Sequence, residues 1–158
     1  LRKLSSTVRM TAVLGIRGAQ GPVVALVEED TSRVVVVTVH VGTRLGATAA
    51  QTHVYLAHGD TQMEEVVMAG LSPAERSQLD ADVETVRRQG YAMLFNEEGT
   101  FAVAAPVFDE KGLCATVAII GTGHPADPKP QVDQVLATAS ALSEELGGND
   151  AERSHADL

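Results

Sequence analysis

The side chains able to do chemistry in this sequence are scattered rather than grouped. Five histidines invite a metal site, but His53 and His58 stand five apart, off a common helical face, and His40, His124 and His155 fall in unrelated segments. No ligand spacing of the kind that holds a metal from one helix or loop is present. The single cysteine, Cys114, sits among Leu113, Ala115 and Val117, where it reads as a small buried residue of a strand rather than a reactive thiol. Glu97 and Glu98 are adjacent carboxylates that a solvated hairpin turn explains without acid and base catalysis. Gly121 and Gly123 lack the third glycine and the immediate helix of a phosphate loop, because Pro125, Pro128 and Pro130 follow. No segment has the strand-to-helix elbow that exposes an attacking serine. The expectation is a protein that binds rather than reacts: not an enzyme, with no metal and no cofactor.

Charge and composition narrow what is bound. The 158 residues carry a net charge of −9. Arg2, Lys3, Arg9 and Arg17 lie in the first twenty residues, which hold no acid, so eight cations face 21 acids over the remainder, a net −13. Such a body repels DNA, and five aromatics with no Trp give little for bases to stack on. A hydrophobic share of 44% is enough for the core of one domain. No run of ~18 apolar residues offers a membrane span. The valine run Val34 to Val37 is broken by Thr38 and His40. No secretory leader precedes the fold, and a lone cysteine excludes a disulfide scaffold, so a cytoplasmic location is expected. The chain starts at Leu1 in a basic, helical segment, which reads as the point where a longer chain was divided.

The elements that must position any site are legible from period and turn chemistry. Leu1 to Val8 reads as a short helix. Thr11 to Arg17 and Pro22 to Glu29 read as strands joined across Gly18 to Gly21, and the β-branched stretch Val34 to His40 as a third strand, giving an amino-terminal meander. Helical propensity then runs from Ala47 to Ala57, and Asp60 offers an N-cap to a second short helix. Ser72-Pro73-Ala74-Glu75 opens a third as N-cap, N1 proline and N3 acid of a capping box, with Leu79, Val83 and Val86 as its buried stripe. Arg87, Arg88 and Gly90 suit its end near Gln89. Phe101 to Phe108 and Leu113 to Ile120 read as two long strands joined through Asp109 to Gly112. In a last helix, Val132, Val135, Leu136, Ala139, Leu142 and Leu146 make a stripe that ends at Gly147-Gly148. That order implies an α+β fold, an antiparallel sheet with flanking helices. The expected division is residues 1–10 as a linker helix remnant, 11–148 as the folded domain and 149–158 as a polar, disordered tail.

The block from Gly90-Tyr91-Ala92 through Ala104-Ala105-Pro106-Val107 to the Asp109 and Gly112 turn resembles the effector-binding domain of the IclR family of bacterial transcriptional regulators. Val41-Gly42-Thr43-Arg44-Leu45 followed by Ala47-Thr48-Ala49-Ala50 resembles that family's strand-to-helix junction beside the effector pocket. The resemblance implies a sheet similar to those of GAF and PAS sensors, with a pocket between the sheet and the short helices. It also implies a homodimer or tetramer and DNA contact only through an amino-terminal domain that is not part of these residues.

Family members that sense carboxylates are expected, on the same resemblance, to line the pocket with a small-residue pair, an acid, a thiol or hydroxyl and two further hydroxyls. Those places fall here at Ala50 and Gln51, near Asn96, at Ala102, and at Ala118 and Ile120. Val37 and Leu45 complete the candidate lining, and Thr52-His53 stands where a Gly-Lys pair is common. The polar anchors are replaced, so the resemblance implies an effector that is apolar or aromatic; packing of the sheet interior explains Ala102, Ala118 and Ile120 equally well. Two functions stay open: the sensing and oligomerising domain of a regulator, or a stand-alone GAF-like binding protein or degenerate enzyme with no DNA-binding partner.

Overall fold

Helix α1 (Arg2–Val8) leads into a hairpin of β1 (Thr11–Gly18) and β2 (Gly21–Glu28), and three helices follow: α2 (Ala50–Ala57), α3 (Thr61–Met68) and α4 (Pro73–Gln89). Strands β3 (Ala92–Phe95), β4 (Thr100–Asp109) and β5 (Gly112–Thr122) complete the sheet before α5 (Lys129–Glu145). The structure is a computed structural model and describes residues 1–148, so the tail expected at 149–158 lies outside the described residues. The strands pair in the order β2-β1-β5-β4-β3, every neighbour antiparallel. The α+β fold class expected from the sequence is the one observed.

Strand alternation sends successive side chains to opposite faces, and both faces of the central strands are covered. Phe101, Val103, Ala105 and Val107 of β4 and Val117 and Ile119 of β5 pack with Val132, Val135 and Ala139 of α5 and with Leu4 of α1. On the other face, Ala104 and Ala118 pack with Val54 of α2 and with Leu79, Val83 and Val86 of α4. Burial on both sides explains why β4 and β5 read as nearly continuous apolar runs rather than as an alternating pattern.

The caps act where the sequence places them. Asp60 accepts a hydrogen bond from the Met63 amide at 3.0 Å, Ser72 Oγ accepts one from Glu75 at 3.2 Å, and Gly90 takes a left-handed φ of 87° at the end of α4. Of the Ser72 capping box only this half is made among the described bonds.

Three expectations need correction. Residues 34–40 form no strand: Val34 is fully exposed at 104% and Val35 is 62% exposed. The slot beside β2 is taken by 42–45 instead, through Val24 N–H to the Thr43 carbonyl (2.9 Å), Gly42 to Val24 (2.8 Å) and Leu45 to Pro22 (2.8 Å). Valine propensity without a neighbouring strand and a buried face makes no strand. Helix α2 starts at Ala50 rather than Ala47, which leaves 47–49 as a turn. In α5 the stripe ends differently: Leu146 is 50% exposed, and Ser143, buried at 1%, takes the inward place instead. Its Oγ donates to the Ala139 carbonyl (2.8 Å) and accepts the Phe108 amide (3.0 Å), closing the edge of β4 that β3 does not reach.

Candidate functional site

The register of the sheet builds the floor of a cavity. Leu94, Ala102 and Ile120 stand opposite one another across β3, β4 and β5, and Ala118 lies in the next row, opposite Ala104. Small side chains at Ala102 and Ala118 keep this floor low. Above it, Ala50 and Gln51 begin α2, with Leu45, Thr48 and Ala49 leading in; Asn96 and Thr100 close the side. The cavity volume is about 150 Å³.

Seven of the eight residues named from the sequence meet here: Leu45, Ala50, Gln51, Asn96, Ala102, Ala118 and Ile120. Val37 does not join them. Because its segment is not a strand, it lines a separate crevice with Arg9, Met10 and Asp30, and its carbonyl accepts a hydrogen bond from Thr11 Oγ1. The sequence reading missed Leu94 and Thr100, which the pairing of β3 with β4 brings in, and Thr48 and Ala49, which were read as helix.

A buried polar group holds the roof to the floor. Gln51 Nε2 donates to the carbonyl of Thr116 at 3.2 Å and to its Oγ1 at 3.0 Å. Gly15 makes room for this pair: a Cβ there would stand 2.7 Å from Gln51 Nε2 and 2.8 Å from Thr116 Oγ1. Tyr55, also on α2, is 1% exposed, and burial pushes its phenol far up; its OH reaches the Gly15 carbonyl at 3.4 Å. His53 Nε2 lies 2.7 Å from the Ala47 carbonyl, so the ring donates there and pins the turn that precedes α2, while Nδ1 is buried without a partner. Burial holds this imidazole below its ordinary value, against the opposing pull of the Ala47 carbonyl and Asp82.

A second, larger cavity of about 240 Å³ lies at the open edge of β4, between the end of α4 and α5, with Arg87, Arg88, Pro106 and Leu136 among its walls. None of the residues singled out from the sequence as effector-binding reaches it. Among the described residues, no group of three histidines, cysteines or acids could hold a metal ion. The half-buried Cys114 thiol is raised by burial, and its Sγ donates to the Val107 carbonyl at 3.4 Å. The cavity beneath α2 is therefore apolar apart from the amides of Gln51 and Asn96 and the hydroxyls of Thr48 and Thr100, a lining suited to binding.

The family model described as bacterial transcriptional regulator IclR C-terminal matches residues 1–144. The chain belongs to the IclR family. Its described residues form the effector-binding domain of that family of transcription regulators, as the block from Gly90 to Gly112 implied. Among solved structures it is similar to HmgR of Pseudomonas aeruginosa, with 26% identity and a TM-score of 0.79 over 94% of this chain and 64% of that one. It is also similar to a protein described as an IclR transcriptional regulator from Silicibacter sp. TM1040, with 20% identity and a TM-score of 0.83 over 94% and 64%. A protein described as an IclR-family regulator from Rhodococcus sp. gives 25% identity and a TM-score of 0.79 over 91% and 60%. This IclR-family chain thus spans less than two thirds of each of those three proteins. No curated protein matches it. Its homologues are transcription regulators, and among the described residues no helix is long and apolar enough to cross a membrane.

Proposed function

We propose that this domain senses a small neutral apolar or aromatic molecule in the cavity between α2 and the sheet, and that it self-associates within a bacterial transcription regulator whose DNA contacts lie outside the described residues. The observation that carries this reading is the cavity itself, with seven expected residues on its wall and no cation among them. At about 150 Å³ it matches a space that holds one benzene ring. A carboxylate buried there would lose its hydration with neither Arg nor Lys to replace it, and a body of net −13 disfavours small anions before they arrive. A ligand held by both α2 and the sheet favours whichever arrangement of the domain closes around it, which is how binding would bias a regulator's states.

A thermal-shift screen of neutral aromatic compounds against glyoxylate and pyruvate tests the reading. A ligand at about 100 times its Kd adds ~2.7 kcal/mol of stability to a native-only site. The expected outcome is stabilisation by aromatic compounds that Ala118→Trp, which fills the floor, abolishes. Selective stabilisation by the short acids contradicts it.

A further inference from the structure

Gln51 is the one buried polar side chain on the cavity wall, at 3% exposure; Thr48 and Asn96 are exposed at its mouth, and Asn96 Oδ1 is occupied by the Thr100 amide at 2.9 Å. The orientation of the Gln51 amide is fixed by its partner. The Thr116 carbonyl accepts and cannot donate, so the nitrogen of Gln51 must face it and the flipped amide is excluded. Thr116 Oγ1 takes the nitrogen's second contact. Oε1 is thereby turned away from Thr116. It accepts no hydrogen bond from the described residues and is not among the sealed, unpaired atoms, and its residue lines the cavity.

We propose that Gln51 is the specificity-determining residue of this cavity, its Oε1 selecting a neutral single-ring ligand that carries a hydroxyl or N–H over the same ring without a donor. The inference rests on the cavity being the effector site and adds the chemistry that the effector must present. In the empty cavity water can satisfy Oε1. A ring that displaces this water and offers no donor leaves the oxygen desolvated and unpaired, whereas a phenolic hydroxyl or an anilinic N–H restores the bond. A carboxylate offers only acceptors and meets a lone pair. The size of the cavity points the same way, since about 150 Å³ is the space that holds one benzene-sized ring.

Phenol and anisole make the comparison, because they share ring and oxygen and differ in the donor. Isothermal titration of the wild-type chain is expected to show phenol binding about tenfold more tightly than anisole, a preference that falls below about threefold in Gln51→Leu. In the wild type, phenol but not anisole is also expected to shift the Gln51 side-chain amide resonances in a ¹⁵N–¹H spectrum, a readout that stands even where the variant fails to fold. Equal affinity for the two in the wild type, or a preference that Gln51→Leu leaves intact, overturns the role of Gln51 while leaving the cavity as a ring-binding site. Failure of both compounds and of toluene to bind overturns the inference together with the effector reading.

Discussion

His53 shows how a single residue can serve the site without touching a ligand. Its ring ties the start of α2 to the turn at Ala47, and burial lowers its folded-state pKa below the ordinary 6.5. A group depressed in this way binds fewer protons folded than unfolded. Its contribution is therefore fully present above about pH 6.5 and is lost as the pH falls toward the folded value. The slope is at most ~1.4 kcal/mol per pH unit for one such group. His53→Gln keeps an N–H donor for the Ala47 carbonyl and removes the titration, so it is expected to flatten the stability profile between pH 7 and 5 in urea unfolding. An unchanged slope would show that His53 does not carry it. Asp60 acts in a separate, lower window: the Arg17 guanidinium, 2.6 Å away, holds its carboxyl below the usual range, and that contribution is lost as the pH falls through the lowered value. At this scale the sequence is only partly readable. Ala102, Ala118 and Ile120 could be placed through the family resemblance, but the Gln51 to Thr116 bond joins residues 65 apart, and nothing local announces the space that Gly15 leaves for it.

Elements were legible where their instructions are local. The Asp60 and Ser72 caps, the Gly90 terminus and the Asp109 to Gly112 turn are each written within a few residues, and the structure places all of them as read. Val34 to His40 misled because strand formation needs a partner, and the competing partner, 42–45, is found only in three dimensions. Ser143 was overlooked for the opposite reason: a serine does not extend an apolar stripe, yet its hydroxyl satisfies the Phe108 amide at the sheet edge. These two corrections make contrasting predictions. Ser143→Ala leaves the buried Phe108 N–H unpaired and is expected to cost about 1–3 kcal/mol in chemical denaturation. Val34→Ser, at a fully exposed position, is expected to stay within about 0.5 kcal/mol of wild type. A large loss from Val34→Ser would return that segment to the sheet.

For the molecule as a whole, the two-sided sheet divides the labour: α1 and α5 cover one face, α2 and α4 cover the other, and the start of α2 roofs the chamber. Self-association is expected of this domain, since regulators that read paired half-sites are at least dimeric. Multi-angle light scattering should give at least a dimer at micromolar concentration, and a strict monomer would remove self-association from the proposed function. The overall architecture was readable because strand and helix order restricts the layering, while the cavity at the open edge of β4, made by residues distant in sequence, was not foreseen, and a bound ligand must choose between the two. A phenol titration followed by backbone amide shifts decides that choice most directly. Shifts centred on Leu45 to Gln51, Asn96 to Ala102 and Ala118 to Ile120 are the result expected of an effector chamber beneath α2. Shifts centred instead on Val86 to Gly90 and Leu136 to Ser140, or none at saturating phenol, would contradict it.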